Sequence, residues 1–164
     1  MLKPLFLAAL LLQTPKPPEL GIIAGSVTPP ANTTIKQPVQ IVLMPPPYSM
    51  LWNQKLQEQL DAYWERYKPA FLQKKELFLE VSKMAYQDTL QFVMARMSRD
   101  LGASMKDYRI DSTPTGKFEF KNLALGDYKL VAYGRAGDQT YFWQESVEVN
   151  NSVPQFVSLT KHVP

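Results

Sequence analysis

Between residues 50 and 101 the chain has no glycine and one proline, Pro69, and is rich in Leu, Gln, Glu, Lys and Met. These are strong helix formers, and their density over so long a run predicts helix. Leu56, Leu60, Tyr63, Tyr67 and Phe71 form an apolar stripe near the helical period, continued by Phe78, Val81, Ala85 and Phe92. A second stripe, Leu90, Met94, Met97 and Leu101, points elsewhere, and Gly102 follows as a C-cap. An unbroken helix of that span would be roughly 75 Å long. The few residues before the next extended stretch could not bring the chain back from there, so the run is expected to fold on itself as a hairpin of two pieces or three. Pro69 is the best-placed fold-back, because it disfavours helical geometry at Lys68 and suits the first position of a new helix. Asp88, with Gln91 three residues on, is a second candidate N-cap.

The flanks have the other period. Residues 20–27 read as a strand closed by Pro29 and Pro30. A second strand follows Pro38, with Val39, Ile41 and Leu43 on one face, and ends at Pro45, Pro46 and Pro47 because proline cannot continue a ladder. After the helical run, residues 108–111 are short and extended. In residues 116–132, Phe118 and Phe120 alternate with charged residues, as do Tyr128 and Leu130, with a glycine-closed turn between. That is the pattern of a half-buried antiparallel pair. A long strand over residues 139–149 carries Tyr141, Trp143, Val147 and Val149 on one side, and the last strand covers residues 155–160. Short strands separated by turn signals argue for a β-sandwich.

At the N-terminus one cation, Lys3, precedes an apolar run over residues 5–12 and a proline-rich tract. The run fits a signal peptide and is far shorter than the roughly 20 residues needed to span a bilayer. Residues 1–19 are therefore expected to be a signal peptide and spacer, and the protein to be secreted or periplasmic, with no transmembrane helix in the mature chain. The chain has no cysteine and a single histidine, His162. Thiolate chemistry is thereby excluded, a lone histidine near the C-terminus argues against paired-histidine metal sites and a fixed histidine base, and no catalytic, metal or cofactor-binding residue is expected. A net charge of +3 is no argument for nucleic-acid binding.

Four stretches also carry a family likeness: Gly25-Ser26-Val27, Pro38-Val39-Gln40-Ile41-Val42-Leu43, Gly116-Lys117-Phe118-Glu119-Phe120-Lys121-Asn122-Leu123 and Gly126-Asp127-Tyr128-Lys129-Leu130. In that order they resemble the G-x-V, A-x-V-x-L, G-x-F-x-F-x-x-L and G-x-Y-x-L pattern of the carboxypeptidase regulatory-like domain. The resemblance implies the transthyretin (prealbumin-like) sandwich: an antiparallel, seven-stranded β-sandwich over residues 20–164. A helical hairpin, residues 50–106, would be inserted between its second and third strands, where the family has a short loop. Ser112 and Thr113 stand where the family usually has Thr-Asp. The fold also hosts a hydroxyisourate hydrolase, but that activity depends on histidines and a C-terminal Tyr-Arg-Gly-Ser that this chain lacks.

Other motifs weigh less. The combination of Lys36, Glu119 and Asn150 or Asn151 for an isopeptide bond is disfavoured, because Glu119 alternates with Phe118 and Phe120 and should face solvent. Pro45-Pro46-Pro47-Tyr48 matches a WW-domain ligand but also ends a strand. The helical run has apolar residues on more than one side. Those left over after packing on the sandwich must meet a partner or a membrane surface. The expected function is a non-enzymatic envelope or protein-interaction module. Its helical insertion contacts a protein partner or a second copy through Trp52, Trp64, Leu90, Met94 and Met97. The alternative is a carbohydrate-binding module that holds polysaccharide on Trp143 and Tyr141.

Overall fold

In the computed structural model, which describes residues 17–163, strand β2 (Gln40–Met44) is covered on both faces. Ile41 and Leu43 point one way, Val42 and Met44 the other, and all four are buried. One face meets a second sheet and the other meets helices. The remaining elements are β1 (Gly21–Val27), α1 (Pro46–Gln73), α2 (Leu77–Leu101), a 3-10 turn (Gly102–Asp107), β3 (Arg109–Asp111), β4 (Lys117–Leu123), β5 (Gly126–Ala136), β6 (Gln139–Val149), β7 (Gln155–Leu159) and β8 (His162–Val163). A five-stranded sheet runs β3-β2-β5-β6-β8 and a three-stranded sheet runs β4-β1-β7. Both helices lie in the chain between β2 and β3.

The sandwich core lies between the sheets and includes Ile23, Phe118, Phe120, Leu130, Trp143 and Leu159. The Trp143 indole N–H donates to the Thr28 carbonyl at 2.9 Å, so its one polar atom is satisfied inside the core. On the outer face of the larger sheet, Val42, Met44, Val131 and Phe142 form a second core with Trp52, Leu56, Leu90, Val93 and Met97 of the helices. At Gly116 the backbone has φ +84°, and a Cβ there would come within 2.9 Å of the Val27 carbonyl oxygen. The corner therefore excludes side chains on two grounds.

Five sequence expectations need correction. Among the described residues the two sheets hold eight strands, the last only two residues long, where seven were expected. It is not wholly antiparallel, because β1 and β7 pair in parallel. Residues 116–132 do not form a hairpin: β4 pairs with β1 in the smaller sheet and β5 with β2 and β6 in the larger. The two strands instead face each other across the core, where Phe118 and Phe120 meet the cluster of Tyr128 and Leu130. The Tyr128 hydroxyl donates to the Ala124 carbonyl at 2.8 Å and ties the crossing corner.

The fold-back is also elsewhere. Helix α1 passes through Pro69 and ends at Gln73, and the chain turns at residues 74–76. Pro69 and Glu65 are both exposed, so water can serve the carbonyl that proline's missing N–H leaves free. Continuing the helix also brings Phe71 between Trp64, at 5.5 Å between ring centroids, and Phe78, at 5.6 Å. Asp88 caps nothing and instead accepts from the Tyr63 hydroxyl across the hairpin. Gly102 does end α2, with φ +54°. The signal-peptide expectation falls almost wholly on residues 1–16, outside the described residues.

Candidate contact surface

Two prolines open α1: Pro46 and Pro47 occupy the first turn, where their missing N–H groups cost no helical bond. The stretch that matches a WW-domain ligand is thus helical, and its Tyr48 hydroxyl donates to Asp100 of α2 at 3.3 Å. From there the hairpin divides into two parts.

The proximal part is sealed against the sheet. Trp52 is fully buried and its indole N–H donates to Gln144 Oε1 at 3.2 Å. Gln144 Nε2 in turn donates to the Tyr86 hydroxyl at 3.1 Å, so one β6 side chain links both helices to the sheet. Burial pushes the Tyr86 hydroxyl pKa above its ordinary value, despite the opposing hydrogen bond from Gln144. Leu90 and Met97 are buried in the same layer, and Met94 is partly buried against it. Trp52, Leu90 and Met97 therefore have no free surface for a partner: the outer sheet face absorbs them.

The distal part is different. The layer that joins helices to sheet ends at Leu60 on α1 and Tyr86 on α2. Past it, a polar cleft of about 370 Å³ separates Glu80, Lys83 and Gln87 from the β5–β6 end residues Asp138, Gln139 and Thr140. From Leu60 to the turn α1 runs on for about 20 Å, and its ring contacts there are with itself and with α2. Trp64, Tyr67, Phe71 and Phe78 make that seam. The seam leaves an apolar cleft of about 180 Å³ lined by Leu60, Trp64, Phe71, Phe78 and Val81. Outside it, Leu72 is 82% exposed, Phe78 and Leu79 46%, and Trp64 43%. Four of the eleven large apolar side chains exposed among the described residues thus fall between residues 64 and 79.

The distal part is also cationic. Residues 64–79 carry Arg66, Lys68, Lys74 and Lys75 against Glu65 and Glu76, an excess of two positive charges. All four cations are exposed, and none makes an ion pair with a described carboxylate.

Of the expected contact residues, Trp64 is the one at this surface. Leu72, Phe78 and Leu79 were not singled out, although Leu72 stands beside the lysine pair at 74 and 75 and a fold-back there would have exposed it. The expected carbohydrate residues are not at a surface: Trp143 is fully buried and Tyr141 is 8% exposed, both in the sandwich core. Their alternation on β6 reports the inward face, not a stacking platform. Glu119 is exposed and paired with Lys121 at 2.8 Å, away from any isopeptide arrangement. No group of three or more His, Asp or Glu that could hold a metal occurs among the described residues, and no helix there is long and apolar enough to cross a membrane.

No family model matches the chain, and no curated protein matches it. Among solved structures it is similar to the pilus backbone (RrgB) from Streptococcus pneumoniae, at 11% identity and a TM-score of 0.34. That likeness covers 87% of this chain and 41% of the pilus protein, so the chain spans less than half of that protein's length, and a likeness this slight carries no argument about function.

Proposed function

We propose that this chain is a non-enzymatic, exported β-sandwich module of the carboxypeptidase regulatory-like type that works by contact, presenting the distal end of its helical hairpin. The observation that carries the reading is the split in the hairpin. The sheet buries Trp52, Leu56, Leu90, Val93 and Met97 of the proximal part, where Met50 and Phe92 stay exposed singly, while Trp64, Leu72, Phe78 and Leu79 are exposed within one short stretch at the distal end. Trp64 and Phe78 also pack in the seam between the helices, but their exposed parts, with Leu72 and Leu79, form the kind of patch that marks an interaction site. The family part of the reading is supported by the four motif stretches, which lie on β1, β2, β4 and β5 or directly beside them.

A photo-crosslinking residue placed at position 72 of the full chain, in cells that express it, tests the reading. Adducts to protein or lipid should form there and be several-fold scarcer from position 57, an exposed polar site on the proximal half. Equal yields from the two positions would remove the case for a distal contact surface.

A further inference from the structure

Resting on that contact reading, we infer that the distal end of the hairpin docks onto an anionic lipid surface. Three observations select this partner. First, the exposed apolar residues are interleaved with cations that have no carboxylate partner among the described residues, so the complementary surface is negatively charged. Second, a second copy is disfavoured, because a two-fold contact would press two ends of excess positive charge against each other. Third, the patch is small: four apolar side chains on a narrow finger fall well short of the roughly 20–30 residues a side of a stable protein interface.

A bilayer asks for less. A short apolar tip that sinks about 5–10 Å into the headgroup boundary, with basic residues around it, is enough for reversible binding. Leu72 is the most exposed large side chain at the tip, and Lys74 and Lys75 follow it at the turn. Their aliphatic stems can lie along the apolar residues while the ammonium groups reach phosphate oxygens. Trp64 sits further back on α1, where an indole suits the interface. The turn itself, at residues 74–76, closes the distal end of the hairpin and is exposed throughout.

The full chain is mixed with vesicles of equal parts phosphatidylcholine and phosphatidylglycerol, and separately with phosphatidylcholine alone. Trp52 and Trp143 are fully buried and Trp64 is not, so emission from Trp64 reports the tip. Acidic vesicles should sediment the protein, blue-shift its fluorescence and shield it from acrylamide, and neutral vesicles should do none of these. K74Q with K75Q should weaken binding about thirtyfold, from about fivefold per lysine, and Leu72→Glu about tenfold or more. Both changes are at exposed positions, and an unchanged urea midpoint shows that the fold is intact. Every variant keeps the apolar N-terminal run, so adhesion through that run would be equal in all of them. Vesicle binding that is unchanged in both variants, or that leaves Trp64 open to acrylamide, overturns the inference. If Trp64 is instead shielded without vesicles as protein concentration rises, and Leu72→Glu abolishes this, the partner is a second copy: the lipid inference falls and the contact reading stands. If neither vesicles nor concentration shields Trp64, and position 72 yields no excess of adducts, both fall.

Discussion

Trp52 and Trp64 belong to the same helix, yet one is sealed and hydrogen-bonded while the other is 43% exposed. Leu56 and Leu72 differ in the same way, at 8% and 82%. Residue type and helical periodicity are alike in the two halves, and what differs is whether a sheet lies underneath. The outer face of the five-stranded sheet offers Val42, Met44, Val131 and Phe142 to the proximal half, and the apolar layer stops short of the distal half. An apolar stripe is therefore a demand for a partner, and the length of the sheet decides how much of that demand is met within the chain.

Substitutions that set the halves against each other should separate them most clearly. Trp52→Ala should lower stability by about 3–5 kcal/mol, since it opens a cavity in the layer between helices and sheet. Trp64→Ala should cost about 1–2 kcal/mol, because it gives up ring contacts with Phe71 and Phe78 but less burial, and urea denaturation of both variants measures the contrast. If the two prove equal, the division of the hairpin is wrong. Leu90→Ala and Leu72→Ala repeat the test with one residue type, and about 2–4 kcal/mol is expected for the buried leucine against about 0.5 or less for the exposed one. Gln144→Ala should cost about 1–3 kcal/mol, because it strips a partner from both the Trp52 N–H and the Tyr86 hydroxyl. Amide exchange should then quicken in the proximal helices and change little at the tip, which has no contact with Gln144.

The smallest effect is electrostatic. The hydrogen bond from Arg96, with its charge, holds the Asp100 carboxyl below its ordinary value against opposing desolvation. A depressed folded-state value means the contribution is present above the ordinary carboxyl range and is lost as pH falls through the folded value. Asp100 is a surface group, so the slope will be slight. Asp100→Asn should lose less stability than the parent on acidification, read from urea midpoints at neutral and acid pH. A steeper acid loss in the variant would show that Asp100 is not what anchors that end of the hairpin.

Much of the sandwich was legible because alternation is a local property. Phe118, Phe120, Tyr128 and Leu130 point inward, and Val42, Met44 and Val131 outward toward the helices, as their period-2 pattern implies. The pairing of those strands was not legible. An inward face looks the same whether its neighbour is beside it in one sheet or opposite it in another, so residues 116–132 read as a hairpin although they cross the core. The fold-back was missed for a related reason. Pro69 is a strong local signal, but a proline on an exposed helical face leaves only a solvent-served carbonyl, and the Trp64–Phe71–Phe78 contact across the hairpin outweighs it. The contact surface was half legible: unsatisfied apolar stripes were evident, but which residues would be left over was not, and Trp52, Leu90 and Met97 proved to be core.

By itself the sequence determined that strands flank a long helical run, that the run must double back, and that the chain offers no cysteine and a single histidine. These follow from composition, period and the rise of a helix, which need no partner. Only the tertiary structure decided which sheet each strand joins, where the hairpin turns, and that the turn leaves Leu72, Lys74 and Lys75 exposed at its distal end. Those outcomes depend on contacts between residues far apart in the chain, and no local pattern records how far a sheet reaches beneath a helix.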